Sequence, residues 1–363
     1  TLTSGFSGQT YKGPLNTSLR WETTDQFNVG LDFGFWKNRL NFSANYYYKK
    51  TKDLLQNVSI PLSTGYSTMW TNFGHVTNKG FEFTANVVAI DNKDWGLNFD
   101  GNISFNQNRI GGLNADQYAT QLWYGANEVF LQRNGLPIGT IYGYVEDGFY
   151  DNIAEVRADP IYSKVSKEEA QRMIGEIKYV DRNGDNQITT EDRAVIGDTN
   201  PDFIYGLNAN FRWKKLSLGL FFQGSQGNDI FNGNLTMIGM NSIGNVTREA
   251  YENRWTPENA ANAKWPRITT AMTRDMKLSD RYVEDGSYFR LKTINLSYNF
   301  GSVCKGITDL SVFGTITNVF TLTNYSWFDP DVNAFGSDAS RRGVDIFSYP
   351  NSRTYTIGFK LTL

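Results

Sequence analysis

Residues 97–106 read Leu97-Asn98-Phe99-Asp100-Gly101-Asn102-Ile103-Ser104-Phe105-Asn106, in which every odd position is apolar or glycine and every even position is polar. Successive side chains on a β-strand point to opposite faces, so this stretch predicts a strand with one apolar and one polar face. The same two-residue period recurs along the chain. It predicts an all-β protein whose strands separate two different environments.

About nine segments show this alternation, and many exceed the five or six residues usual in soluble sheets. Their lengths match the nine to eleven residues with which a tilted strand crosses a bilayer. One segment is irregular, because Arg290 and Lys292 occupy even-numbered positions, like the apolar Ile294, where strict alternation would place apolar side chains. We expect a β-bulge there, or emergence of the strand above the membrane. The segments are 26–36, 39–50, 79–90, 95–108, 202–213, 215–228, 286–300, 308–322 and 352–363.

The connections between these segments alternate strictly between short and long, which is typical of outer-membrane barrels with periplasmic turns and long extracellular loops. Aromatic residues stand beside the short turns, where an aromatic belt is expected. They are Trp36, Trp95, Trp213 and Phe300. The short turns are 36–39, 91–94, 214–215 and 301–307, and the long loops are 51–78, 109–201, 229–285 and 323–351.

The alternative fold is a soluble β-sandwich or barrel, whose strands also alternate. The polar faces of the segments are rich in Asn, Ser, Thr and Gly and poor in Lys and Glu, which favours a barrel lumen over a solvated surface. Loops this long are also rare in soluble sandwiches. The pattern therefore predicts an antiparallel transmembrane β-barrel with long extracellular loops.

Composition removes several classes of function. The net charge of −2 over 363 residues gives no sign of a nucleic-acid partner. His75 is the only histidine and Cys304 the only cysteine, so multi-His metal sites and disulfide frameworks are excluded, and a Ser-His-Asp arrangement has little support. We predict that the protein is not an enzyme. The chain begins at Thr1 without a methionine, from which we expect a piece of something longer.

One segment of the loop insertion 109–201 fits a calcium-binding pattern. Residues 181–192 place oxygen-bearing side chains at positions one, three, five and twelve, and a backbone carbonyl is expected at position seven. Position six is Asn186 instead of glycine, and the last ligand is an aspartate instead of the longer glutamate. A metal-free turn rich in Asp and Asn is the alternative. The candidate Ca²⁺ ligands are Asp181, Asn183, Asp185, Gln187 and Asp192.

Several stretches in order resemble the SusC/RagA family of TonB-dependent outer-membrane transporters of Bacteroidetes, and the resemblance spans nearly the whole chain. The stretches are Leu19-Arg20-Trp21-Glu22-Thr23-Thr24, Asn28-Val29-Gly30-Leu31-Asp32, Tyr46-Tyr47-Tyr48-Lys49-Lys50, Asn78-Lys79-Gly80-Phe81-Glu82, Gly143-Tyr144 with Asp147-Gly148-Phe149-Tyr150, 181–192 with 196–203, Tyr349-Pro350 and Arg353-Thr354-Tyr355. One departure is Leu363 at the end, where family members commonly have Phe.

The resemblance implies that residues 1–363 are the C-terminal part of a 22-stranded barrel, with the N-terminal plug and early strands outside this chain. It implies TonB-dependent nutrient import, with energy from TonB–ExbB–ExbD and a SusD-like lipoprotein over the loops. Oligosaccharides or peptides are the expected cargo. Two other hypotheses remain open: a barrel subunit of a surface complex that does not transport, and a soluble extracellular Ca²⁺-binding β-protein.

Loop aromatics are the candidate substrate contacts, because flat rings stack on sugars and on peptide side chains. Packing of the loops against each other or against a partner is the alternative role for these rings. The primary candidates are Trp70, Trp123, Tyr124, Trp327 and Phe328, and Trp255 and Trp265 also lie in long loops.

Overall fold

The computed structural model describes residues 14, 16–66, 68–119, 129–238, 245–269 and 277–363. Its largest element is a nine-stranded antiparallel sheet in which each strand pairs with the next sheet strand along the chain. The nine predicted segments correspond one to one to these strands. They are β1 (Thr23–Phe35), β2 (Leu40–Lys52), β5 (His75–Asp91), β6 (Trp95–Gly111), β13 (Phe203–Trp213), β14 (Leu216–Gln226), β17 (Tyr288–Gly301), β18 (Asp309–Thr323) and β20 (Thr354–Thr362).

The register of the sheet collects the apolar side chains on one face. Leu97 pairs with Phe211 and Trp95 with Trp213, and the two tryptophan rings stack with their centroids 5.8 Å apart beside the short turns. On β20 the apolar Ile357 and Phe359 are 87% and 73% exposed. Soluble proteins rarely leave so large an apolar surface uncovered, so this face fits contact with lipid.

The irregular segment contains the expected bulge. Phe221 pairs with Thr293 and Phe222 with Leu291, so Lys292 is the extra residue of β17. The bulge reverses the parity of the strand and returns Arg290 to the polar face, opposite Gln223. The prediction from the sequence is confirmed.

The long connections contain secondary structure of their own. Ser166 begins α2 (Lys167–Met173) with a capping box, and the side chain of Thr247 caps α4 (Arg248–Glu252). The additional strands are β3 (Leu55–Ser59), β4 (Thr68–Asn72), β7 (Gln117–Ala119), β8 (Phe130–Gln132), β9 (Thr140–Gly143), β10 (Glu146–Phe149), β11 (Ile177–Tyr179), β12 (Ala194–Asp198), β15 (Asp229–Asn232), β16 (Val283–Asp285) and β19 (Val344–Asp345). The helices are α1 (Ile153–Ala158), α2 (Lys167–Met173), α3 (Asn234–Ile238) and α4 (Arg248–Glu252), and 3₁₀ turns span Leu62–Thr64, Thr190–Asp192, Ala260–Asn262, Asp280–Tyr282 and Ala339–Arg341. None of the helices in the described ranges is long and apolar enough to cross a membrane.

Candidate functional site

Three long loops pack into a common hydrophobic core on the side of the sheet away from the short turns. We call this unit the loop assembly and define it as the described parts of 112–202 (the first loop), 227–287 (the second loop) and 324–353 (the third loop). Strand β15 of the second loop pairs in parallel with β19 of the third, which joins them by backbone hydrogen bonds. The buried core residues are Val129, Phe130 and Ile141 from the first loop, Phe231 and Tyr282 from the second, and Val344 from the third.

A buried ion pair joins the first loop to the second. The side chains of Arg281 and Glu146 are only 11% and 10% exposed. Arg281 Nε donates to Glu146 Oε1 at 3.0 Å, and the guanidinium lies 5.4 Å from the ring centre of Trp265. Because removing one partner would leave the other charge buried and unpaired, this contact holds the two loops in one arrangement.

A second buried ion pair joins the third loop to the barrel wall. Arg290 on β17 is 1% exposed, and its Nη2 donates to Asp329 Oδ1 at 2.5 Å. Its Nε donates to Thr321 Oγ1 on β18 at 2.9 Å, while Asp331 lies 3.8 Å from Nη1. Asn351 donates to the other oxygen of Asp329 at 2.7 Å. The sequence marked Arg290 only as an irregularity, and its anchoring role was missed.

Buried tyrosines give the loop assembly fixed hydrogen-bond donors. The Tyr325 hydroxyl donates to Asp345 Oδ2 at 2.7 Å, and Ser348 N donates to Asp345 Oδ1 at 3.0 Å. Burial raises the pKa of Tyr325, and the neighbouring Asp345 raises that pKa further. Burial also raises the pKa of Tyr282 to about 12. Both hydroxyls therefore stay protonated at neutral pH.

The polar face of the sheet carries a network of amide, hydroxyl and carboxylate groups. Asn86 Nδ2 donates to Asp100 Oδ1 at 2.8 Å, and the Tyr47 hydroxyl donates to Asn106 Oδ1 at 2.7 Å. The Tyr47 ring lies over Gly80, where a Cβ would come within 2.6 Å of its hydroxyl. Towards the short turns, Asn98, Asn210, Arg212 and Asn295 line a concavity of about 400 Å³. These groups can hydrogen-bond a hydrated solute, and Asp100, Asn102 and Asn208 lie on the same face.

The predicted substrate aromatics are not gathered at one place. Trp70 lies on the β3–β4 hairpin and is 55% exposed. Trp327 and Phe328 form an edge-to-face pair with centroids 5.2 Å apart, and within the described ranges no ring contact joins them to Trp70. Trp123 and Tyr124 lie outside the described residues.

Trp255 and Trp265 have a packing role, which was the alternative given for loop aromatics. They are 7% and 5% exposed, and their indole N–H groups donate to Asp151 and Glu249. Their burial leaves no face for a substrate. Trp70, Trp327 and Phe328 remain predicted contacts, as do Trp123 and Tyr124 outside the described residues.

The predicted calcium segment forms a compact turn that its own hydrogen bonds close. Asp181 accepts from Gly184 N at 2.7 Å and from Asn186 N at 2.8 Å. Asn186 has φ of 63°, so it adopts the left-handed conformation for which glycine is the usual residue. Asp185 accepts from Gln187 N at 2.8 Å, and Asn183 Nδ2 donates to Asp185 at 3.0 Å.

Asp192 closes this turn from its far end. It is fully buried, and its two oxygens accept from Arg182 N at 2.9 Å and Thr189 N at 2.7 Å. Burial opposes ionisation of Asp192, but these backbone hydrogen bonds outweigh it and lower the pKa. Within the described part of the chain, no three His, Cys, Asp or Glu side chains are grouped to hold a metal ion. Calcium binding stays a prediction.

Comparison with known proteins identifies the class. Residues 1–319 match the family described as TonB dependent receptor-like, beta-barrel. The chain is 33% identical over 370 residues to TonB-dependent receptor P26 of Formosa agariphila, covering 98% of this chain and 36% of that protein. It is 28% identical over 357 residues to TonB-dependent receptor SusC of Bacteroides thetaiotaomicron, covering 96% and 32%. The chain therefore spans about a third of these relatives.

The solved structure of the RagAB peptide transporter has the same fold. The TM-score is 0.72 at 23% identity, over 94% of this chain and 35% of that one. The alternating wall and its long loops thus define an outer-membrane β-barrel. The chain belongs to the TonB-dependent receptor-like β-barrel family, as its resemblance to SusC/RagA proteins implied, and its relatives are receptors and not enzymes.

Proposed function

We propose that this chain forms part of an outer-membrane nutrient importer that takes up oligosaccharides or peptides with energy from TonB–ExbB–ExbD. The observation that carries the proposal is the contrast between the faces of the wall. One face is apolar, and the other carries hydrogen-bonding groups such as Asn98, Asp100 and Asn210. A polar lumen of this kind suits hydrated cargo, whereas a purely structural barrel does not need one.

A SusD-like lipoprotein is the proposed partner on the cell surface. The sequence similarity to the relative named SusC and the fold shared with the solved RagAB structure support this proposal. On this chain, exposed aromatics of the loops such as Phe328, at 68%, and Tyr349, at 91%, offer apolar contact area. Such rings are enriched where proteins bind each other.

We also propose that residues 1–363 are the C-terminal part of a 22-stranded barrel. In the described chain β1 pairs only with β2 and β20 only with β18. In lipid, every unpaired backbone group along a free strand edge costs several kcal/mol. Further strands that pair with these two edges, and an N-terminal plug inside the closed barrel, would remove that cost.

An uptake experiment with the full-length protein tests the import proposal. Cells with and without the gene are given labelled maltooligosaccharides or labelled oligopeptides, each in strains with and without TonB. We expect deletion of either gene to abolish uptake of one cargo class to the same extent. The parent strain must contain the correctly assembled barrel. If deletion of its gene then leaves uptake of both cargo classes unchanged, the protein is instead a non-transporting subunit of a surface complex.

Calcium bound at 181–192 would have a structural role in this proposal, stiffening the 109–201 loop. Isothermal titration of the full-length protein with Ca²⁺ tests it, using Asp185→Ala and, as a matched control, Glu168→Ala on α2 of the same loop. We expect binding heat that Asp185→Ala removes and Glu168→Ala retains. Equal heat from all three proteins would eliminate the site.

A further inference from the structure

Three basic side chains lie in two adjacent rows on the lipid-facing side of the wall, at its loop end. The register aligns Lys50, Thr77 and Arg109 across β2, β5 and β6, and it aligns Tyr48, Lys79 and Gln107 one row nearer the membrane centre. Side chains two residues apart on a strand share a face, so these rows lie on the same side as an aromatic row that is one step nearer the membrane centre. That row is Tyr46, Phe81 and Phe105.

The wall has a notch at this level. The paired register of β6 with β13 ends at Ser104, so β5 is the only wall strand that pairs with β6 beyond it. Nearer the loops, Ile110 forms backbone hydrogen bonds with Gly135 and Leu136 instead. The notch has a volume of about 470 Å³, and Pro201 stands on its opposite side. Its floor is formed by the rings of Tyr46, Phe81 and Phe105, and the Tyr46 and Phe81 ring centroids are 5.0 Å apart. Lys79 and Arg109 line its upper part.

The basic groups in the notch are available for a ligand. Among the described residues, Lys79 and Arg109 form no ion pair, whereas nearby Lys52 is paired with Asp25. Arg109 makes one long hydrogen bond, at 3.5 Å, to the carbonyl of Asn108. The side chains of Lys79 and Arg109 are both exposed.

Two carboxylates, Asp198 and Asp202, also line the notch. Asp198 is hydrogen-bonded to Asn200, and Asp202 lies at an even-numbered position before β13, which corresponds to the polar face of the wall. Asp198 Oδ1 accepts from Asn200 N at 2.9 Å and from Asn200 Nδ2 at 2.7 Å. Asp202 lies close to Gly227, where an added Cβ would come within 2.3 Å of its Oδ2. The side of the notch formed by β5 and β6 is therefore positively charged.

We propose that this notch binds the phosphorylated headgroup of a lipid of the outer leaflet, with Lys79 and Arg109 on the phosphate and Lys50 as a further positive charge. The acyl chains would lie along the apolar wall below. The inference depends on the outer-membrane location of the family and is independent of the cargo.

The position of the notch selects a lipid over a soluble anion. It opens on the outer side of the barrel, above an aromatic row of the kind that marks a membrane interface. Long basic side chains next to an apolar surface extend their charged ends to the headgroup level. Each basic residue near an anionic lipid surface strengthens binding by about fivefold.

Native mass spectrometry of the full-length barrel in detergent tests the proposal, with bisphosphorylated lipid A as the probe. The variants are Lys79→Gln/Arg109→Gln and the control Lys37→Gln/Lys93→Gln, which removes the same charge from two turns at the opposite membrane boundary. On an SDS gel, a difference in migration between the unheated, folded barrel and the heat-denatured chain checks assembly. Should the first double variant not assemble, Lys79→Glu alone replaces it.

We expect the notch variant to bind lipid A on the order of ten- to thirtyfold more weakly than the unaltered protein, as two lost charges imply, and the control to be unchanged. Lipid A without phosphates should bind weakly to all of them, and millimolar inorganic phosphate should not displace lipid A. Equal weakening in both variants, or no weakening, overturns the site. Displacement of lipid A by phosphate alone would make it a site for a soluble anion and also overturn the proposal.

Discussion

The barrel wall and the loop assembly are held together by different kinds of contact. In the wall, neighbouring strands follow each other in the chain, and the same apolar–polar period is repeated nine times. In the loop assembly, decisive contacts join distant residues, such as Arg281 and Glu146, which are 135 positions apart. The comparison teaches that a two-sided environment leaves a repeating pattern in the sequence, whereas a single buried ion pair leaves none.

The junction of the two regions should give the largest effect. Replacing Arg290 by alanine removes the cation between β17, β18 and the third loop and leaves Asp329 partly buried without its ion pair. Breaking a buried pair in this way costs about 3–5 kcal/mol. We expect the 324–353 loop to become sensitive to protease while the sheet amides keep their hydrogen-exchange protection.

The matched control is Arg248→Ala, which removes one partner of an exposed pair with Glu252 on α4. Exposed pairs contribute little, about 0–1 kcal/mol, so the control should resemble the unaltered protein. Equal protease sensitivity in both variants would show that Arg290 does not anchor the loop.

The sequence predicts the barrel wall well and the loop assembly poorly. The alternation predicted every strand of the large sheet, and it also predicted the bulge at Lys292, because a parity error is visible when its neighbours are regular. The alternation could not predict the parallel contact of β15 with β19 or the burial of Trp255 and Trp265. Those outcomes depend on which loops meet in space, and nothing periodic encodes that.

Substitutions on the two faces of β13 should give the next largest change in stability. Leu207 and Asn208 are adjacent at the centre of β13, with Leu207 on the apolar face and Asn208 on the polar face. Arginine on a lipid face near the middle of the membrane costs about 2–4 kcal/mol, while a lumen position tolerates it. We expect Leu207→Arg to lower the free energy of unfolding measured in lipid vesicles by this amount and Asn208→Arg to change it little. Similar losses in both would contradict the assignment of the faces.

The smallest effect concerns Asp192, whose pKa lies below its ordinary value of 3.8. A lowered pKa in the folded state means that ionised Asp192 stabilises the turn above about pH 4 and that this stabilisation is lost as the pH falls further. Asp192→Asn should cost about 1 kcal/mol locally at neutral pH, since it removes one acceptor of a buried N–H. Hydrogen exchange of the 182–190 amides measures both changes, and Glu168→Gln in the same loop should alter neither.

The most direct test is cysteine labelling along β6 of the full-length protein in lipid vesicles, in a background from which the native cysteines are removed, Cys304→Ser among them. Single cysteines replace Leu97, Phe99 and Ile103 on one face and Asn98, Asn102 and Asn106 on the other. A wall with two faces predicts that a water-soluble maleimide labels only the asparagine positions. It also predicts that an apolar thiol-reactive fluorophore attached at the other three positions is quenched by brominated lipid. Equal maleimide labelling at both sets of positions, without quenching by lipid, would contradict a wall with one lipid face and one lumen face.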